Sequence, residues 1–106
     1  MANDAAKIIV ARHNGAPIGF VSFFRAGDDI EVRKIGVLAA WRRHGVAKNL
    51  LNEAIAVMPV TRCLIDVSAA NTDAIAFYAK SGFRELARRR NYYSDGSEAI
   101  VMEFIK

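Results

Sequence analysis

The sequence predicts a mixed α/β fold with mostly antiparallel strands and the element order βββαβαββ. Residues 7–38 contain three apolar runs separated by turn residues, which is typical of an antiparallel meander. Residues 45–58 repeat apolar side chains at three- and four-residue steps, as one face of an amphipathic helix does. A β-branched run follows at residues 60–68. Because strand, helix and strand follow one another here, we expect a central right-handed parallel βαβ crossover.

The opening meander is predicted to have strands at residues 7–12, 18–25 and 30–38. Asn14 and Gly15, between the first two strands, are the strongest short signal for a hairpin turn. In the third strand, strict alternation places four side chains on one face: Glu31, Arg33, Ile35 and Val37.

A second, shorter helix is predicted at residues 72–81. Asn71 is a good N-cap for it, and Gly82 suits the left-handed residue that often follows a helix. Strands are then predicted at residues 83–93 and 98–105, and the turn between them makes a closing hairpin.

The composition is that of an ordinary globular protein, and we expect one domain over residues 1–106. Hydrophobic residues make up 53% of the chain and charged residues 25%, which provides enough apolar surface for a single core. No run approaches the roughly 20 apolar residues of a membrane helix, and residues 1–7 contain no apolar signal core. We therefore predict a cytoplasmic protein with no membrane partner.

Neither a metal nor a nucleic acid is predicted as a ligand. The single Cys63 and the two histidines, His13 and His44, are not spaced as metal ligands. The formal net charge is +4 and residues 88–90 are all arginine, but strand alternation divides these arginines between two faces. An anionic small ligand explains such modest basicity equally well.

A candidate anion site lies between the third strand and the long helix, at residues 42–47. A helix start leaves about four backbone N–H groups without internal partners and carries about half a positive charge. Gly45 lets a phosphate approach the backbone closely, and Arg42 and Arg43 add attraction. The alternative is that Gly45 only begins a helix and that both arginines are solvated. Upstream, Gly36 in an apolar strand indicates that something packs closely against the backbone there.

Two motifs at a suitable separation resemble those of the GNAT superfamily of N-acetyltransferases. Residues 42–47 fit its pyrophosphate loop, R/Q-x-x-G-x-G/A. A second motif of the form N-x-x-A-x-x-x-Y-x-x-x-G-F is matched by Asn71, Ala74, Phe77, Tyr78, Gly82 and Phe83. Within the superfamily the chain is similar to RimI-like N-alpha-acetyltransferases, including the segment RRRNYY at residues 88–93. The similarity extends over nearly the whole chain from about residue 18.

The resemblance implies a GNAT-like fold, acetyl-CoA as co-substrate and transfer of acetyl to a primary amine, for which a protein N-terminal α-amine is one candidate. It also implies that the strand backbone at residues 35–37 pairs with the pantetheine arm and polarises the thioester carbonyl. Tyr78 corresponds to the residue that protonates the departing thiolate. The positions implied to bind the coenzyme are Ile35, Gly36, Val37, Arg42, Arg43, His44, Gly45, Val46, Ala47 and Asn71.

The general base is open between two carboxylates. Asp66, twelve residues before Tyr78, stands where RimI-like enzymes have a Glu, and Asp is one methylene shorter. Glu31, eleven residues before Arg42, matches the general base of histone-acetylating relatives. Each also has a purely structural interpretation as a strand residue. Trp41 is expected to be a packing anchor before the loop.

The resemblance also indicates what the chain lacks. Such enzymes usually have another strand and two helices before the segment that begins near Lys7, and those helices build part of the acceptor pocket. We predict that a homodimer partner supplies this wall, although an unusually open site or the loss of acetyl transfer are alternatives. The alternative functions are therefore a catalytically inactive acyl-CoA-binding module and a small-molecule amine acetyltransferase.

Overall fold

A computed structural model describes residues 6–57 and 61–105. The elements follow one another in the predicted order, βββαβαββ. The chain divides into two compact units, Met1–Val60 and Thr61–Lys106. The predicted helix end at residue 58 and strand start at residue 60 lie outside the described residues. Within the described part of the chain, no helix is both long and apolar enough to cross a membrane. The organisation as a single domain stays a prediction.

The sheet of the first unit is the predicted antiparallel meander. Its strands are β1 (Lys7–His13), β2 (Ala16–Ala26) and β3 (Asp29–Val37), with β2 paired to both neighbours. Asn14 and Gly15 have φ angles of 51° and 83°. Positive φ at both central residues is the geometry of a type I′ turn, whose twist matches that of the flanking strands. The hairpin predicted from Asn-Gly is confirmed.

Helix α1 (Val46–Val57) packs against all three strands of this sheet. Its apolar stripe at three- and four-residue steps is buried, as the periodicity predicts. Each fully buried aliphatic side chain contributes about 1.5–3 kcal/mol relative to exposure, so this stripe is the main source of stability for the helix. The buried residues are Leu50, Leu51, Ala54 and Ile55 on the helix and Val21, Phe23, Ile30 and Val32 on the strands.

A β-bulge in β3 corrects one predicted feature. Val21 lies opposite Ile35 and Phe23 opposite Val32, so β3 uses one more residue than β2 between these pairs. Arg33 is that extra residue, since Ser22 lies opposite Lys34. Side chains therefore change faces at Arg33. The predicted single face is wrong, because Glu31 lies opposite Phe24 and thus on the other face from Ile35 and Val37.

The second unit contributes three antiparallel strands and one helix. Strand β6 (Ala99–Ile105) lies in the centre, with β4 (Arg62–Ser68) on one side and β5 (Arg84–Arg89) on the other. Helix α2 (Thr72–Lys80) begins at its predicted cap, because the Asn71 side chain accepts a hydrogen bond from the Ala74 amide at 3.1 Å. Gly82 follows the helix with φ of 97°, as predicted.

Strand β5 is shorter than predicted. It ends at Arg89, and Asn91 has a positive φ of 50°, which is incompatible with a continuing strand. The amides of Tyr92 and Tyr93 both donate to the Ser97 carbonyl, at 3.2 and 3.3 Å. The two tyrosines therefore belong to the loop between β5 and β6, and the prediction that they are sheet residues is wrong.

Glu103 is a charged residue in the core of the second unit. Only 4% of its surface is exposed. Its carboxylate accepts from Arg84 Nε at 3.0 Å and from Arg62 Nη1 at 3.4 Å. A buried charge is tolerated only when it is paired in this way, so both arginines have a structural role.

Candidate active site

A row of backbone amides without partners forms the start of helix α1. The Gly45 carbonyl accepts a hydrogen bond from the Asn49 amide at 3.0 Å, and the helix begins there. Within the described residues, the amides of residues 43–48 donate to no backbone carbonyl. These donors carry the positive end of the helix dipole, an arrangement that suits an anion. That this loop binds an anion stays a prediction.

The backbone of this loop leaves space for a ligand. Gly45 has φ of 79°, and a Cβ placed on it would meet no atom within 4 Å. Arg43 also has a positive φ, of 65°. Turns of this kind direct successive N–H groups into a shallow concavity that suits a phosphate. Gly45 is therefore required by its conformation, and the volume that its missing side chain leaves is open.

The chain segment that contains the loop has only basic charged side chains. Residues 32–52 contain no acidic side chain. Arg43 and His44 are exposed. The Arg42 Nε lies 3.4 Å from the Val37 carbonyl, which ties this side chain to the end of β3. Arg42 thus braces the connection between strand and loop, and its remaining N–H groups are the ones available to an anion.

Trp41 packs between two histidines. It lies in the short 3-10 helix Ala39–Trp41, and its ring centroid is 4.6 Å from that of His13 and 5.5 Å from that of His44. Because His13 is the last residue of β1, Trp41 connects the loop to the β1–β2 hairpin. This agrees with its prediction as a packing anchor.

The strand segment predicted to hold the thioester begins four residues before the 3-10 helix Ala39–Trp41. It consists of Ile35, Gly36 and Val37, at the end of β3. Gly36 lies opposite Phe20, and a Cβ on Gly36 would meet Phe20 Cε1 at 2.7 Å. The group that packs closely against this backbone is therefore the Phe20 ring.

Tyr78 is buried in the second unit. Its relative exposure is 7%, and its ring lies 5.1 Å from Phe77 and 5.5 Å from Phe83. Burial, and to a lesser extent the nearby Cys63, raises the pKa of Tyr78 to about 12. The phenol is consequently protonated at neutral pH and can only be a proton donor.

Asp66 and Tyr78 lie on opposite sides of strand β4. Asp66 is an exposed residue of β4, whereas Cys63, three positions earlier, is buried. Odd and even positions of a strand point to opposite faces, and Tyr78 is close enough to Cys63 for the thiol to affect its pKa. The structure therefore keeps the candidate acid and the candidate base on different sides.

Tyr93 joins the surroundings of Asp66. Its pKa is raised by partial burial first, then by the Asp66 carboxylate and by Tyr92. The rings of Tyr92 and Tyr93 are 5.1 Å apart in an edge-to-face arrangement, and the Arg89 guanidinium lies 5.5 Å above Tyr92. Sequence reasoning missed this cluster because it treated the tyrosines as strand residues. The pair of aromatics before the Asp95–Gly96 turn was the available signal.

The other candidate base, Glu31, is in the first unit. It lies near the start of β3, opposite Phe24 and partly buried. Because of the bulge at Arg33, Glu31 and Ile35 lie opposite Phe24 and Val21, which are three positions apart on β2. At about 3.3 Å per residue, the Cα atoms of Glu31 and Ile35 are therefore roughly 10 Å apart along the strand. A proton could reach Glu31 from the thioester segment only through water.

The comparisons with known proteins decide the family. The model of the Acetyltransferase (GNAT) family matches residues 1–83, which is more than half of the chain. The chain belongs to this family. N-alpha-acetyltransferase RimI of Mycobacterium tuberculosis is 31% identical to this GNAT chain over 107 residues, covering 96% of the chain and 68% of the relative.

Solved structures of the GNAT family share the fold. The ribosomal-protein alanine N-acetyltransferase of Escherichia coli is 30% identical, with a TM-score of 0.84 over 94% of this chain and 68% of that chain. A GNAT acetyltransferase from Elizabethkingia anophelis, solved with acetyl-CoA bound, is 19% identical, with a TM-score of 0.88 over 95% and 76% of the two chains. This second likeness concerns the fold alone.

The comparisons confirm the predicted family, its RimI-like relatives and the mixed α/β fold class. They also support amine N-acetylation with acetyl-CoA, as predicted. The chain spans about two thirds of the length of its RimI relative and of the Escherichia coli enzyme.

Proposed function

We propose that this chain is a GNAT enzyme that transfers acetyl from acetyl-CoA to the α-amine at a protein N-terminus. The observation that carries the proposal is the row of unused amides at residues 43–48, with open space at Gly45. The names of two similar proteins support the choice of acceptor, since one is an N-alpha-acetyltransferase and the other a ribosomal-protein-S18-alanine N-acetyltransferase.

The coenzyme would be held along the first unit. The loop amides would bind its diphosphate, and His44, Val46 and Ala47 belong to this row. The strand backbone at residues 35–37 would pair with the pantetheine arm and donate to the thioester carbonyl, stabilising the tetrahedral oxyanion. Asn71 uses its side-chain oxygen as a helix cap, which leaves its amide N–H groups for a coenzyme contact.

The acceptor must be neutral to attack. At pH 7 an α-amine with a pKa near 8 is about 10% neutral, whereas a lysine with a pKa near 10.4 is about 0.04% neutral. The amine nitrogen bonds to the thioester carbon, its proton passes to Asp66 directly or to Glu31 through water, and the C–S bond breaks. No covalent enzyme intermediate is needed.

Tyr78 would return a proton to the leaving thiolate. Its raised pKa keeps it protonated at every physiological pH. A nucleophile and a leaving group occupy different sides of a tetrahedral carbon. Within the second unit, Asp66 and Tyr78 lie on opposite sides of β4, which supports separate roles as base and acid.

The decisive experiment compares two glycines. Gly45→Ala and Gly27→Ala both place a Cβ at a positive φ, 79° and 62°, in open space, so each costs a similar backbone strain of about 1–2 kcal/mol. Calorimetry with acetyl-CoA should show at least a tenfold weaker Kd for Gly45→Ala and an unchanged Kd for Gly27→Ala. Equal affinities in both folded variants would contradict the phosphate-loop assignment.

A binding module without catalysis is the second candidate. The candidate base favours it, because Asp66 is an exposed residue of β4 and its side chain is one methylene shorter than the Glu of RimI-like enzymes. A thiol-release assay with N-terminal peptides and polyamines separates the candidates. Release with peptides supports the proposal, release only with polyamines indicates a small-molecule acetyltransferase, and acetyl-CoA binding without release indicates the module.

We further propose a cytoplasmic homodimer. Among the described residues β1 pairs only with β2, and its Ile8 and Val10 are 64% and 41% exposed. An apolar edge strand of this kind is suited to pairing with a second copy. Sedimentation at micromolar concentration should give a dimer, and a monomer would contradict it. Fractionation of cells expressing the chain tests the location.

A further inference from the structure

The strands of the first unit carry an apolar groove whose side chains have no role in the proposed transfer of acetyl. Its volume is about 450 Å³. None of the side chains that line it has a charge or a hydrogen-bonding group. The lining residues are Val10, Pro17, Ile18, Gly19, Phe20, Gly36, Val37 and Leu38. A volume of this size lies in the range of small-molecule sites, about 300–1,000 Å³.

The groove is continuous with the thioester segment. Gly36 and Val37 are two of the three residues whose backbone is proposed to hold the thioester, and both line the groove. Their partners across the sheet, Phe20 and Gly19, line it as well. If the thioester carbonyl is held at this backbone, the alkyl chain attached to that carbonyl therefore begins at the wall of the groove.

The chemistry of the groove favours a hydrocarbon occupant. A peptide brings an N–H and a C=O with every residue, and these groups need partners when they leave water. The side chains of the groove offer none. At the rim, Val10 and Leu38 are 41% and 56% exposed, so an occupant that covers them removes apolar surface from water.

We propose that this groove binds the acyl chain of acyl-CoA substrates longer than acetyl, so that the enzyme transfers medium-length acyl groups. The inference rests on the proposed acyl transfer and names its acyl donor more closely. The bond changes are the same: a C–N bond forms, the C–S bond breaks, the amine proton passes to the base and the thiolate receives a proton. No other reactant is required.

The test is a series of acetyl-, butyryl- and hexanoyl-CoA measured by calorimetry. Complete burial of a methylene changes an affinity by about fourfold, and an open groove that covers half of each methylene gives about twofold. Hexanoyl-CoA, with four more methylenes than acetyl-CoA, should therefore bind about 16-fold more tightly. An affinity that does not change with chain length would overturn the inference.

Two leucines provide a matched pair of variants. Leu38 lies at the rim, whereas Leu86, on β5, is similarly exposed at 47% and lies outside the groove. Leu38→Lys should flatten the dependence on chain length, and Leu86→Lys should leave it unchanged. An equal loss in both variants would point to non-specific binding and overturn the proposal. If circular dichroism shows that Leu38→Lys is unfolded, Val10→Ala replaces it, with a reduced dependence expected.

Acetyl-CoA separates this inference from the proposed function. Binding of acetyl-CoA together with a flat chain-length series refutes only the acyl groove. Failure of every member of the series to bind refutes the coenzyme site itself. Product analysis by mass spectrometry completes the test, since hexanoylated peptide should form at least as fast as acetylated peptide at equal low concentrations of donor.

Discussion

Removal of one hydroxyl group, in Tyr78→Phe, tests the proposed mechanism most directly. The ring contacts with Phe77 and Phe83 are retained by phenylalanine. We expect the free energy of unfolding to change by no more than about 1 kcal/mol, the ordinary scale of a single hydrogen bond. The coenzyme affinity should also be unchanged, because the proposed coenzyme contacts of the loop and strand are elsewhere.

The size of the catalytic loss follows from the pKa of Tyr78. Burial raises this pKa to about 12, whereas an ordinary thiol has a pKa near 8.5, so complete transfer of the proton to a free thiolate would be unfavourable by about 5 kcal/mol. The phenol therefore helps only while the C–S bond is breaking. General acid catalysis contributes about 10²–10⁴-fold, and we expect a loss near the lower limit, about 10²-fold in kcat.

The assay is thiol release under saturating acetyl-CoA and peptide, with Tyr92→Phe as the matched control. Tyr92 is 47% exposed and belongs to the β5–β6 loop. Undiminished kcat in Tyr78→Phe would remove this residue from the mechanism. A loss of kcat accompanied by an equal loss of acetyl-CoA affinity would instead show that the hydroxyl supports binding, and the reasoning from its pKa would be refuted.

Three further predictions concern the second unit. Asn71→Ala should lower the free energy of unfolding by about 1 kcal/mol, because helix α2 loses its cap. Asn71→Asp keeps a capping oxygen, so it should keep this stability and weaken only acetyl-CoA binding. Equal acetyl-CoA affinity in wild type and Asn71→Asp would exclude the contact through the side-chain amide. Glu103→Gln should lower the free energy of unfolding in urea by about 1–2 kcal/mol, which is less than for a fully buried pair because the Arg84 side chain is 72% exposed. Glu98→Gln should lower it by under about 0.5 kcal/mol. Similar losses in the two variants would contradict the buried pairing of Glu103. The pKa of Tyr78 is near 10 in the unfolded chain and about 12 in the folded protein, so its contribution to stability is complete below pH 10 and is lost between pH 10 and 12. Between pH 9 and pH 11 the free energy of unfolding of the wild type should therefore fall by about 1.4 kcal/mol more than that of Tyr78→Phe. Equal falls in the two proteins would contradict the raised pKa.

The features that the sequence predicts correctly are those set by neighbouring residues. Asn14 and Gly15 determine the first hairpin through their positive φ, and Asn71 caps its helix through a bond to Ala74 three residues away. The helix start after Gly45 is local in the same way, whereas the binding of a phosphate by this loop stays a prediction.

The features that it misses depend on partners distant in the chain. Nothing near Arg33 indicates the bulge, which arises from how β3 aligns with β2. The length of β5 is a local exception. It is set by a positive φ at Asn91 and by the Ser97 carbonyl, which accepts hydrogen bonds from the amides of Tyr92 and Tyr93. The raised pKa of Tyr78 depends on burial that only the packed unit provides.

Gly19 controls how closely two parts of the proposed coenzyme site approach each other. A Cβ there would lie 3.0 Å from the Gly36 carbonyl oxygen, 3.2 Å from Val46 Cγ1 and 3.3 Å from Val37 Cγ2. Because Gly19 has only a hydrogen atom in place of a side chain, the strand that would carry the thioester and the helix that would carry the diphosphate can lie this close together. The thioester and the diphosphate belong to one ligand of constant length. Even a methyl group at position 19 would therefore alter the distance between the two segments that this ligand has to bridge.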